Sequence, residues 1–162
     1  MQNFGWCGRV FAYAPLIIWI VVILGLGSGL GAANETSRII RPLLEYFFPT
    51  TSPDTLSLYH FYLRKFAHFA EYAILALLAC RAFYSSRTRP GKFPLVLAAL
   101  LVLLVALFDE INQSFDATRT GSPWDVLVDL SGGLFAILIW HLISRRHGLA
   151  GTYENRGDDR RA

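Results

Sequence analysis

Charge is scarce in this chain. Asp, Glu, Lys and Arg make up 17% of its 162 residues, against 54% apolar, and the mean hydropathy is +0.40. Soluble domains carry about 25% charged residues, so the shortage points to a membrane protein. Cysteine is also scarce: Cys7 and Cys80 form no CxxC pair and no disulfide framework. Gly-rich phosphate loops, zinc-finger spacing and basic–aromatic stripes are missing, which sets aside the common nucleotide and nucleic-acid classes. No internal repeat is visible, and the length suits one domain. A nucleophile is lacking too, since Ser122 and Ser131 have no His close by in sequence.

What the chain has instead is long uncharged runs. They predict an all-α, integral membrane four-helix transmembrane bundle, with spans at about 15–33, 64–84, 93–110 and 124–143. Residues 1–14 precede this 15–144 transmembrane domain, and 145–162 follow as a charged tail with the composition of a disordered segment. In the first span Gly25, Gly27, Gly29 and Gly31 give two overlapping GxxxG spacings suited to close helix packing. A cleaved signal peptide competes with that reading, although the apolar run is long for one. Residues 34–52 alternate charges with apolar pairs and read as a short amphipathic element in the membrane interface. Ser52-Pro53-Asp54 reads as a helix start, and that helix runs unbroken through Tyr84, longer than a bilayer is thick. SSRTRPGK at 85–92 is a turn, and 114–123 is a loop.

Four spans place both termini and the 85–92 turn on one side. That side holds Arg9, Arg81, Arg87, Arg89, Lys92, Arg145, Arg146, Arg156, Arg160 and Arg161, ten of the fifteen basic residues. By the positive-inside rule it faces the cytoplasm. Both cysteines fall there, in agreement with free thiols.

Against this background a few ionisable residues stand out inside the spans. RKFAHFAEY at 64–72 brings Arg64, Lys65, His68, Glu71 and Tyr72 onto overlapping parts of one helix face. DEINQ at 109–113 and DVLVD at 125–129 carry Asp109, Glu110, Gln113, Asp125 and Asp129. His68 lies 13 residues from Arg81, Asp109 lies 17 from Lys92 and Asp129 lies 16 from Arg145. At 1.5 Å per residue these are about 20, 25 and 24 Å above the inner surface. Glu71 sits lower, at about 15 Å. Charges distant in sequence but matched in depth predict one polar site in the outer half of the membrane.

The order RKxxHFxEYxxLxxL, DExxQ, then R-x-G-S-x-x-D-V-L-x-D-x-x-G resembles the VanZ-like family, over about residues 60 to 140. That family takes its name from a membrane protein associated with teicoplanin resistance. The resemblance implies Lys65, His68, Glu71, Tyr72, Asp109, Glu110, Gln113, Arg119, Asp125, Asp129 and Gly132 as the positions to watch. Family members often have Asn where this chain has Asp129.

Several chemistries are open to such a cluster. His68 and Glu71, at i and i+3, can ligate a divalent cation with Asp109 or Glu110 and with Asp125. Alternatively they complete an ion-paired network with Arg64, Lys65 or Arg119. Asp109 and Glu110 can do acid–base work, or can simply end a helix in the headgroup zone. Arg119 can clamp a phosphate or carboxylate, or neutralise Asp125 or Glu110. Asp125 suits a helix first turn, whereas Asp129, a turn deeper, needs a partner. Gly132-Gly133 on the same face would admit a neighbouring helix or a ligand chain. Trp124, Tyr72, Tyr59 and Tyr62 read most simply as interface aromatics.

The expected function follows from depth and charge. His68, Glu71, Asp109, Glu110 and Asp125 are the candidate catalytic groups, and Lys65, Tyr72, Gln113, Arg119 and Asp129 the candidate substrate contacts. The expected partner is a membrane lipid headgroup or a lipid-linked cell-envelope precursor, acted on or only bound. A non-enzymatic shielding or assembly protein is the alternative. A proton or ion pathway is less favoured, because the inner halves of the spans are nearly uncharged.

Overall fold

The computed structural model describes residues 6–26, 33–85, 92–114 and 123–158. Among these, all regular structure is helical: α1 (Trp6–Gly25), α2 (Ala33–Phe47), α3 (Pro53–Ser85), α4 (Phe93–Ser114) and α5 (Pro123–Asp158). Helix α3 is the spine of the bundle. It packs along α5 over the greatest length and also touches α1, α2 and α4.

The start of α3 is built from the residues expected there. Ser52 Oγ accepts the Thr55 amide at 3.3 Å, Pro53 is the first helical residue and Asp54 places an acid in the first turn. From Pro53 the helix runs 33 residues without a break. At 1.5 Å per residue that is about 50 Å, well beyond a hydrocarbon core of about 30 Å.

The core lies between α3, α4 and α5. Tyr72, Leu75, Ala76, Ala79, Cys80 and Ala82 are fully buried on α3, and four of these six are small. Small side chains let helix backbones approach closely where lipid offers no hydrophobic drive for association. Helix α5 answers with two glycines. A Cβ on Gly132 would overlap the backbone carbonyl of Phe69, and one on Gly133 would stand 2.6 Å from Val102 Cγ1. On α4 the inward stripe is Leu95, Ala98, Val102, Val105, Ala106, Asp109 and Gln113, at helical spacing.

Turned outward are large apolar residues: Phe66, Ile74 and Leu77 on α3, Leu100, Leu104 and Phe108 on α4, Leu134, Leu138 and Leu142 on α5. Helices α3, α4 and the 124–145 part of α5 are long and apolar enough to cross a membrane. Only 33, 39 and 22% of their most apolar stretches is buried within the protein. Apolar surface on that scale is a lipid-facing surface, and the molecule is a membrane helical bundle.

Helix α2 lies against the N-terminal end of α3. Ser37, Ile40 and Leu44 turn toward α3, while Ile39, Leu43, Tyr46 and Phe47 form an exposed apolar stripe. The chain then folds back through Phe48, whose amide bonds the Leu44 carbonyl and whose ring lies 5.4 Å from that of Tyr59.

Three details differ from the sequence expectation. The first helix begins at Trp6 rather than near residue 15 and contains Pro15, and its described apolar stretch is Val10–Gly25. Residues 10–14 are apolar and helix-compatible, and Ala12, Leu16 and Ile23 anchor the helix in the core. A Cβ at Gly25 would meet open space, so that glycine serves no close packing; Gly27, Gly29 and Gly31 lie outside the described residues. At the other end α5 continues past Arg145-Arg146 to Asp158, where a disordered tail was expected. Arginines mark where a helix leaves lipid, and leaving lipid does not end a helix.

Candidate functional site

Helix α3 presents Lys65, His68 and Tyr72 on one face by the 3-4 spacing of a helix, and α5 presents Asp125 and Asp129 one turn apart. The two ladders meet rung for rung. Lys65 Nζ pairs with Asp125 Oδ1, and His68 Nδ1 lies 3.3 Å from Asp129 Oδ1. Close contact between Gly132 and the Phe69 backbone sets this register, because it draws α5 onto α3 one turn below the pairs.

The two pairs differ in setting. Lys65 and Asp125 keep 25 and 19% of their side-chain surface exposed, and the ammonium also lies 5.2 Å from the centre of the Phe61 ring. His68 keeps 17% and Asp129 only 2%. The site therefore opens toward the Lys65 end and closes at Asp129. From α4, Asp109 and Gln113 are both buried, and Gln113 Nε2 donates to Asp109 Oδ2 at 2.7 Å. Asp109 and Glu71 act electrostatically on His68, and Glu110 with these acids acts on Tyr72. Three helices thus contribute to one cluster.

Its interior is short of hydrogen bonds. His68 Nδ1 and Asp129 Oδ1 are within ion-pair distance without hydrogen-bond alignment, and the buried Tyr72 hydroxyl has no partner among the described residues. Orphaned polar atoms in buried places are rare, and each calls for a polar group to serve it.

Several expected roles change. Tyr72 is fully buried rather than an interface aromatic, because positions 72, 75, 76 and 79 share the face turned to α4 and α5. Trp124, Tyr59 and Tyr62 are exposed, as interface aromatics would be. No three His, Cys, Asp or Glu side chains among the described residues are grouped to hold a metal ion. The set His68, Glu71, Asp109 and Asp125 is divided, since Asp125 is held by Lys65 and His68 faces Asp129. Arg119 lies outside the described residues. Ser131 donates to the Val128 carbonyl on its own helix, 2.6 Å away.

One contact escaped sequence reading. Trp19 Nε1 on α1 donates to the Glu71 backbone carbonyl at 3.0 Å, tying the first helix to the floor of the cluster. The only available signal was an indole inside an apolar span, which needs an acceptor for its N–H.

A family model described as VanZ/LLP1 matches residues 10–144. The chain belongs to the VanZ/LLP1 family. The match takes in α2, α3 and α4 whole and most of α1 and α5, and so reaches beyond the 60–140 stretch in which the motif residues lie. No curated protein and no solved structure matches this chain. The polar cluster therefore belongs to a VanZ-like membrane protein, and its chemistry is argued from its own geometry.

Proposed function

We propose that the cluster on α3, α4 and α5 binds the polar headgroup of a membrane lipid or a lipid-linked cell-envelope precursor, on the outer side of a bacterial cytoplasmic membrane. One observation carries this reading: Tyr72, His68 and Asp129 bury polar atoms without aligned partners at the junction of three helices. A headgroup rich in hydroxyl, phosphate or amide groups would serve them.

The chemistry divides along the cluster. At the open end the Lys65–Asp125 pair meets an incoming headgroup with a cation and an anion side by side. At the closed end Asp129 lies 3.3 Å from His68, an arrangement that can take up and return a proton. Below it Leu75, Ala76, Ala79, Cys80, Ala98 and Val102 fill the core with apolar atoms. An apolar floor favours binding from one side over an ion pathway. Protection against teicoplanin-type glycopeptides, suggested by family membership, would then follow from altering or masking a surface lipid or precursor.

The test uses purified full-length protein with labelled polar lipids and lipid-linked precursors. Binding or turnover is expected, and His68→Ala or Asp129→Ala should reduce it at least about tenfold, the effect of one buried charge-assisted contact. Variants that bind and turn over as the parent does would overturn the assignment.

A further inference from the structure

A second polar cleft lies away from this cluster, where α2 crosses the outer end of α3. It encloses about 80 Å³ and is lined by Ser37, Arg41, Leu44, Leu56, Ser57 and His60. One water needs about 10–15 Å³ of such space, so a group of phosphate size fits. His60 is two turns above His68 on the same helix, about 12 Å away along its axis.

The lining is suited to an anion. Ser37 Oγ and His60 Nδ1 are 3.5 Å apart, within reach of a weak hydrogen bond. When the hydroxyl donates to Nδ1, the neutral imidazole carries its hydrogen on Nε2. His60 Nε2 is buried and has no hydrogen-bond partner among the described residues. Arg41 supplies positive charge at the mouth. It contacts Glu45 through Nε at 3.0 Å, and its guanidinium has four further N–H donors on the terminal nitrogens. Arg64, one turn below His60, adds its charge to the same imidazole. Ser57 takes no donor part, since its hydroxyl is committed to the Pro53 carbonyl at 2.9 Å.

The surroundings indicate where the anion comes from. On α2 the apolar stripe of Ile39, Leu43, Tyr46 and Phe47 lies beside the cleft, and all four are exposed. A helix with that stripe rests in the headgroup layer with its apolar side among acyl chains. The cleft then opens at the level of lipid phosphates.

We propose that the cleft between α2 and α3 is an anion subsite that takes the phosphate group of a membrane lipid. It stands on residues that the headgroup cluster does not use, so either site can fail without the other. Arg41, with a side chain 57% exposed, moves to admit the phosphate, which then meets the guanidinium and His60 Nε2.

The test measures lipid retained by full-length protein in native mass spectrometry, after reconstitution in phosphatidylglycerol–phosphatidylcholine or phosphatidylcholine alone. Arg41→Gln and Glu45→Gln are compared, because both break the same exposed ion pair. A structural role for that pair would move both variants in one direction. An anion subsite moves them oppositely: Arg41→Gln loses phosphatidylglycerol about tenfold, and Glu45→Gln, freed of a competing carboxylate, retains more. His60→Ala should follow Arg41→Gln. Competition by inorganic phosphate at millimolar concentration would overturn the lipid source in favour of a free phosphate. Equal retention by all variants would overturn the subsite itself.

Discussion

The His68–Asp129 pair illustrates how much hangs on one buried contact. Asp129 has 2% of its side chain exposed, and a carboxylate that deep is held by its cationic or hydrogen-bonding neighbour. Removing His68 leaves that carboxylate uncompensated, so His68→Ala should lower stability by about 3–5 kcal/mol. Replacing both partners with leucine removes charge and cavity together and should restore most of that loss, leaving headgroup binding abolished. Thermal melting in detergent, read beside binding on the same purified variants, checks both halves. A double variant that melts no better than His68→Ala would show that more than the pair holds Asp129. At this scale sequence was a partial guide. Matched depth brought residues 68, 109 and 129 to one level, but depth gives no azimuth. It could not say that Lys65 would choose Asp125 over other acids, nor that Tyr72 would turn inward while Tyr62 turned out.

Elements were more legible than side chains, and the reason is physical. A span is a run of apolar residues long enough for a bilayer, so α3, α4 and the 124–145 part of α5 announce themselves by hydropathy alone. Helix ends are local chemistry as well, which is why Ser52-Pro53-Asp54 marked the start of α3. The end placed after residue 145, by contrast, is where a helix passes between lipid and water. Hydropathy changes there and backbone hydrogen bonding does not. Helix α5 also shows why its glycines stand together. Gly132 faces backbone atoms of Phe69, which cannot yield, whereas Gly133 faces the Val102 side chain. Alanine in a helix is favoured over glycine by about 1 kcal/mol, which offsets part of any clash. Gly132→Ala should therefore destabilise by about 1–3 kcal/mol net and separate α5 from α3, with loss of the Lys65–Asp125 pairing. Gly133→Ala should cost clearly less. Melting curves for the two variants give the ranking directly, and the reverse order would mean that the α4 contact sets the register of α5.

For the molecule as a whole, the question is which side the polar cluster faces. Among the described residues only the half of the bundle around the polar cluster carries buried charge, while Leu75, Ala79, Cys80, Ala98 and Val102 seal the other half. Direction across the membrane is not a property of packing, since a bundle packs equally well inserted either way. It is decided by the flanks. Arg81, Lys92 and Arg145 end the described spans on the sealed side, and Arg87, Arg89 and Arg146 follow them in sequence. Lys and Arg at short flanks stay in the cytoplasm during insertion. We therefore expect a reporter fused after Ala162 to behave as cytoplasmic and one inserted before Pro53 to behave as extracytoplasmic. The second position is informative because it adjoins the exposed end of α3, near both Lys65 and the α2 cleft. If the Pro53 reporter is cytoplasmic instead, both polar sites face the inner leaflet, and an outward envelope precursor can reach neither. The headgroup reading would then narrow to lipids of the cytoplasmic leaflet. Glycopeptide protection, which needs an outward target, would lose its physical basis.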